Sequence, residues 1–303
     1  MTGNTTIVSG IILIGLFICA VLLCGCTGTT ENEKTTPVST GENPLKETKV
    51  QPGAAGVLTI TGSTTVLPVA AQVAEFYMDT HPGVDVQVNG GGSGAGVQSA
   101  GEGTAMIGMA SRDLKKEEKE KYPELLEHQV AIDGIAIITH KNNPIASLTL
   151  DQVKAIYNGN ITNWKDVGGN DGKIVVIGRD SASGTREFFH EKVMNKEDFV
   201  QTQLEKNSNG AVKQSVEQTP AAVGYVGLGY IDESIHAVPI LVNGTPVIPS
   251  IESVKDKSYP IARPLNFLTN GEPSGIIAEF ILFIDSPEGQ KIVTEEGFVP
   301  LTN

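Results

Sequence analysis

Short β-branched runs alternate along the chain with longer stretches whose apolar residues recur at helical spacing. Val57-Leu58-Thr59-Ile60 reads as a strand, followed by a turn over Thr61-Gly62-Ser63-Thr64-Thr65. Val66 to Asp79 predicts a helix, because Val69, Val73 and Phe76 share one face and Pro68 falls in its first turn. Val84 to Val88 alternates apolar with polar and predicts a second strand. The run Asn89-Gly90-Gly91-Gly92-Ser93-Gly94-Ala95-Gly96 then leads into a helix from Val97. Further strands are predicted at Ala105–Met109, Ile132–Thr139 and Lys173–Ile177, with helices at Leu150–Tyr157 and Arg186–Met194. Repeated strand-loop-helix units predict an α/β fold with mostly parallel sheets, whose ligand lies beyond the carboxyl ends of the strands.

Two segments precede this body. Ile7 to Leu23 is an apolar run that ends in Leu23-Cys24-Gly25-Cys26, which looks like a lipobox, with Cys26 as the lipidated residue of the mature protein. An uncleaved single-helix anchor is the alternative, and the lack of Lys or Arg before the run weakens the signal reading. In both cases the body is extracytoplasmic and tethered to the cell membrane. Residues 27–55 are rich in Thr, Gly, Glu, Pro and Lys and read as a flexible stalk, since they hold too little apolar surface to offset ordering entropy.

The composition narrows the function. The chain has 303 residues, 40% hydrophobic and 19% charged, enough for a sizeable core in two domains or one large one. Its net charge is −13 and it has no Lys/Arg-rich block, which disfavours nucleic acid as a partner. All three cysteines lie in the first 26 residues, so the body contains no thiol nucleophile, disulfide or cysteine metal site. The five histidines are scattered without ligand spacing, so neither metal nor cofactor is expected. No Gly-Lys-Ser/Thr follows the glycine run, which argues against a nucleotide site.

Three loops share a chemistry suited to anions. Each combines Gly with Ser or Thr and opens a helix: Ser63-Thr64-Thr65, the glycine run with Ser93, and Arg179 through Ser183-Gly184-Thr185. Glycines let the backbone approach an anion, and a helix N-terminus offers free N–H donors with about half a unit of positive charge. Ordinary helix capping explains any one such loop equally well. The arginines add weight: the chain has 22 basic residues but only four arginines, and Arg112, Arg179 and Arg186 lie in or beside these loops. An arginine fork matches a tetrahedral oxyanion, although pairing of Arg179 with Asp180 is the plain structural alternative.

These segments resemble the phosphate-binding proteins of phosphate ABC importers. The resemblance rests on Ile60–Thr65, Gly90–Gly96, Ala110-Ser111-Arg112 and Arg179–Thr185. It continues through Val130–Ile135, Tyr157–Trp164, Tyr259–Leu265 and Phe280–Pro300. It implies a two-lobed periplasmic-binding-protein fold of the type II kind, with two crossover hinge strands and the ligand cleft between the lobes. Lobe 1 is then 56–132 plus 259–303, and lobe 2 is 133–258. The resemblance places phosphate contacts on Thr64, Thr65, Ser63, Ser93, Arg179, Ser183, Gly184 and Thr185. Many relatives carry a proton-accepting aspartate where this chain has Arg112, so Arg112 joins the candidate site and a carboxylate elsewhere must accept the proton. Asp133 is the first candidate and Asp113 the second. The implied protein is a monomeric, non-catalytic receptor that captures inorganic phosphate and delivers it to ABC permease subunits. Receptors for molybdate, tungstate or sulfate, an extracytoplasmic phosphatase and an adhesion domain are the alternatives.

Overall fold

A computed structural model describes residues 56–302. The export segment 1–26 with Cys26 and the stalk 27–55 lie outside the described residues. In chain order the first elements are β1 (Gly56–Gly62), α1 (Leu67–Thr80), β2 (Val84–Gly90), α2 (Ser93–Gly101), β3 (Ile107–Ala110), α3 (Lys116–Lys121) and β4 (Leu125–His140). Next come α4 (Leu150–Tyr157), β5 (Val175–Arg179), α5 (Gly184–Lys192), β6 (Leu204–Lys206), α6 (Asn209–Glu217) and β7 (Ala222–Gly227). The chain continues through β8 (Ile235–Val238), β9 (Ile240–Val242), β10 (Thr245–Val247), α7 (Ile251–Lys255) and β11 (Ala262–Asn270). It closes with α8 (Ile276–Ile284) and α9 (Pro287–Glu295).

Nine strands form one sheet in the order β2-β1-β3-β11-β4-β7-β5-β6, with β8 added to β4. β4 carries the connection between its two halves. Residues 125–134 pair with β11, whereas 135–140 pair with β7 and β8, so one strand belongs to both halves. Separate cores form accordingly. Leu58, Ile60, Val69, Val73, Ile107, Phe267 and Phe280 pack in one, and Ile137, Tyr157, Trp164, Phe189 and Tyr225 in the other. The expectation of mostly parallel pairing needs correction. β1 pairs in parallel with β2 and β3, and β5 with β6 and β7, but β4 and β11 run antiparallel to each other and to their other neighbours. A strand that leaves one half and returns must reverse direction.

The Leu150–Tyr157 helix has its expected bounds, and its Thr149 cap accepts a hydrogen bond from the Gln152 N–H. Other boundaries move. β3 begins two residues later than expected and β5 extends to Arg179. β4 starts seven residues before the expected Ile132, because its polar beginning pairs with β11. α2 and α5 start earlier than periodicity suggests, at Ser93 and Gly184. Glycine obscures both starts in the sequence, yet close packing requires it. A Cβ on Gly62, whose φ is +142°, would stand 2.3 Å from the Met109 carbonyl oxygen and 2.8 Å from the Gly96 Cα. β1, β3 and α2 therefore meet backbone to backbone, which sets the Ser93 end of α2 beside the end of β1.

Candidate functional site

The carboxyl ends of β1, β2 and β5 bring the three hydroxyl loops together with a fourth, after β6, that the sequence reading missed. Thr65 stands at the centre. Its Oγ1 lies 3.1 Å from Thr185 Oγ1 and accepts hydrogen bonds from Asn209 Nδ2 at 3.0 Å and Arg263 Nη2 at 3.1 Å. Asn209 Nδ2 also donates to Thr64 Oγ1 at 3.1 Å, and the Gly227 N–H donates to Asn209 Oδ1. Ser63 Oγ accepts from the Thr65 N–H and so shapes the turn into α1. Ser93 Oγ accepts from the Ser111 N–H at 3.1 Å and lies 3.3 Å from Ser111 Oγ, which accepts from Arg263 Nη1. Ser183 caps α5 through the Arg186 N–H. All these hydroxyl-bearing residues are buried.

Four helix N-termini thus converge here: α1 through its Thr64-Thr65 turn, α2 at Ser93, α5 at Gly184 and α6 at Asn209. Each adds free N–H donors and partial positive charge. The two halves also touch closely across the site. The Gly94 N–H donates to the Ala182 carbonyl at 3.0 Å, and Tyr230 donates its hydroxyl proton to the Thr64 carbonyl. A Cβ on Gly184 would stand 2.2 Å from Ser93 Oγ, so only glycine permits that approach.

The charges are arranged unequally. Arg263 and Asp133 are both fully buried and neighbours across β11 and β4. Arg263 donates to Asp133 Oδ2 from Nε at 2.9 Å and Nη2 at 2.7 Å, while the Leu228 N–H donates to Oδ1 at 2.9 Å. Burial pushes the Asp133 carboxyl up, and Arg263 and the Leu228 N–H oppose it. Arg179 is only 1% exposed, and no carboxylate pairs with it among the described residues. Its Nε donates to the Lys206 carbonyl and its Nη2 to the Asn207 carbonyl, while buried Nη1 has no hydrogen-bond partner. Burial accordingly pushes the Arg179 guanidinium down. Arg263 is paired with Asp133, whereas Arg179 has no ion-pair partner in this buried hydroxyl cage and feels Asp180 only through space. Burying an unpaired charge costs several kcal/mol, so such a site favours an anion of matching geometry.

Among the described residues no group of three or more His, Asp or Glu side chains could hold a metal ion. The structure redistributes several expected roles. Ser63, Thr64, Thr65, Ser93, Ser183, Gly184, Thr185, Arg179 and Asp133 lie in or directly beside the cage, whereas Arg112 does not join it. Arg112 grips Glu118 with both terminal nitrogens, at 2.8 and 2.7 Å, and its Nε lies 2.6 Å from Glu187 Oε2. Glu118 satisfies its terminal nitrogens and Glu187 balances the remaining charge, although the Nε contact lacks hydrogen-bond geometry. Asp113 is exposed, which removes it from the buried site. Arg186 donates to the Arg179 carbonyl and pairs with Glu205, so it supports Arg179. Arg263 and Asn209 are the residues that the loops did not reveal. The scarcity of arginine, of which Arg263 is the fourth, is a signal that could have found the first, and Ser208-Asn209 as a helix-cap signature could have found the second.

This geometry has counterparts. A PBP superfamily domain matches residues 48–288. Phosphate-binding protein PstS of Bacillus subtilis (strain 168) is 34% identical over 296 residues, covering 96% of this chain and 93% of its own. The chain belongs to the PBP superfamily, within the family of phosphate-binding proteins. A structure with bound phosphate from Clostridium perfringens, solved as a candidate phosphate ABC transporter substrate-binding protein, is 43% identical with a TM-score of 0.76. The match covers 82% of this chain and 100% of that one. The ABC-type phosphate transport receptor of Vibrio cholerae is 35% identical with a TM-score of 0.66, covering 81% and 100%. The hydroxyl cage of this chain lies where the two halves of its sheet meet.

Proposed function

We propose that this protein is an extracytoplasmic receptor that captures inorganic phosphate and passes it to the permease of an ABC importer. Buried Arg179 Nη1, without a hydrogen-bond partner in a cage of hydroxyls and helix N-termini, carries the reading. A tetrahedral oxyanion supplies the missing acceptor and the missing negative charge together. Thr64, Thr65, Ser93 and Thr185 donate from side chains, Asn209 orients Thr64 and Thr65 with both its amide protons, and the turns at Thr65 and Gly184 donate from the backbone. Asp133 is the acceptor for the proton of hydrogen phosphate. Among the described residues it is the one fully buried carboxylate beside the cage.

The two lobes are 56–132 plus 259–303 and 133–258, and they open about the crossover strands β4 and β11 to exchange ligand. Closure brings α2 and the Thr65 turn against α5 and α6. Cys26 carries the lipid anchor, residues 27–55 form the stalk, and the receptor acts as a monomer without catalysis. Calorimetric titration with phosphate, sulfate and molybdate tests the reading. Phosphate should bind most tightly, and Arg179→Ala should weaken it by about 2–5 kcal/mol while the fold survives, as for one partner of a buried charge contact. An unchanged dissociation constant in folded Arg179→Ala would refute the assignment.

A further inference from the structure

The cluster that takes Arg112 away from the cage crosses the cleft. Arg112 and Lys115 belong to the loop between β3 and α3, and Glu187 belongs to α5 on the opposite side. Glu187 Oε2 lies 2.6 Å from Arg112 Nε, and its Oε1 lies 2.5 Å from Lys115 Nζ. Glu118 fixes the arginine from behind. It accepts from both terminal nitrogens of Arg112 while also accepting from the Lys115 N–H at the start of α3. Arg112 is thus held in place on its own side with its Nε edge presented to Glu187. Thr65 with Thr185, Asn209 with Thr64 and Thr65, Gly94 with Ala182 and Tyr230 with Thr64 meet across the cleft through neutral hydrogen bonds, and the Arg263–Asp133 pair lies at the crossover strands.

Glu187 lies one helical turn beyond Gly184, whose N–H end meets Ser93 in the cage. A helix moves as one body over so short a distance, so attraction at Glu187 presses the N-terminus of α5 against the hydroxyls of the other lobe. Two open concavities of about 480 and 500 Å³ flank the pair, and Lys115 and Glu187 line both. Solvent ions therefore reach this contact.

We propose that Arg112, Lys115 and Glu187 are positioning residues that form a salt-sensitive latch, holding the anion-binding end of α5 closed and setting the rate of ligand release. This rests on the receptor reading above. The latch biases the cleft toward closure with or without ligand, so losing it speeds release and does not slow association.

Stopped-flow phosphate release should be compared for the wild type, Glu187→Gln, Arg112→Gln and the double variant. Each single substitution should speed release by roughly two- to fivefold without slowing association. The double variant should release no faster than the faster single. Raising salt from about 0.02 M to about 1 M, which shortens the Debye length to about 3 Å, should speed wild-type release toward the variants and barely affect them. An unchanged release rate in Glu187→Gln, multiplicative effects in the double variant, or loss of binding in Arg112→Gln alone would overturn the proposal. Small-angle scattering of ligand-free protein at low salt separates this from failure of the receptor reading. The latch makes the wild type more compact than Glu187→Gln whatever the ligand, and equal radii would refute it.

Discussion

Replacing Asp133 with asparagine removes a buried charge without changing its shape, and the surroundings fix the consequences. The carboxylate accepts two hydrogen bonds from Arg263 on Oδ2 and one from the Leu228 N–H on Oδ1. An amide has only one acceptor oxygen, so one of those donors must face an NH2 group. With both members of the ion pair at 0% exposure, the loss leaves a guanidinium buried without its counter-charge, which costs about 3–5 kcal/mol in the free protein. Arg263 also donates to Thr65 at the centre of the cage, so a bound dianion restores part of that missing charge. Phosphate should therefore raise the unfolding temperature of Asp133→Asn by more than that of the wild type. Selectivity should change as well. Hydrogen phosphate donates its proton to an acceptor, whereas sulfate presents only lone pairs and charge to it. An unmet acceptor costs about 1–3 kcal/mol, which corresponds to roughly five- to 150-fold in preference for phosphate. Competition calorimetry with phosphate and sulfate should show that preference narrowing in Asp133→Asn by a factor in this range. A preference ratio equal to that of the wild type would remove Asp133 as the proton acceptor and leave it a structural partner of Arg263.

Gly184→Ala should fold normally yet bind phosphate at least tenfold more weakly, because its Cβ would sit 2.2 Å from Ser93 Oγ and hold the lobes apart; calorimetry beside thermal unfolding checks this. Asn209→Ala should weaken binding by about 1–2 kcal/mol, since it leaves Thr64 and Thr65 without the donor that orients them; an unaltered titration would contradict that role. Burial raises Glu118, but the Arg112 fork and the Lys115 N–H outweigh it and hold this carboxyl below its ordinary value of about 4.5. The stability it contributes is present above that value and lost as pH falls below it, so Glu118→Gln should flatten the acid limb of a pH-stability curve. Cys26→Ser should release the protein from membranes without altering its affinity, and mass spectrometry of the mature N-terminus decides between lipidation and an uncleaved anchor.

Short-range information was enough for the parts of the site that are local. Gly62 through Thr65, the Ser93 run and Ser183-Gly184-Thr185 each place hydroxyls and glycines at a strand-to-helix turn, and the chemistry of such a turn depends on few neighbours. The alternation of elements likewise made an α/β fold legible, as did the Thr149-capped helix over Leu150–Tyr157. Roles that depend on distant partners were not local properties. Arg112 and Arg179 look alike as arginines beside glycine-hydroxyl loops, yet Glu118 and Glu187 claim the first while the second is buried without a carboxylate partner. Arg263 reaches the cage only because β11 returns beside β4 and brings it 130 residues back to Asp133. Asn209 meets Thr64 across 145 residues for a similar reason. Antiparallel pairing of β4 and β11 escaped the hydrophobic pattern, since alternation reports which face is buried and not which strand lies alongside. The residue types and the turns were determined by the sequence; which charges remain unpaired was decided by the tertiary structure, because desolvation and pairing exist only once distant segments have closed around one another.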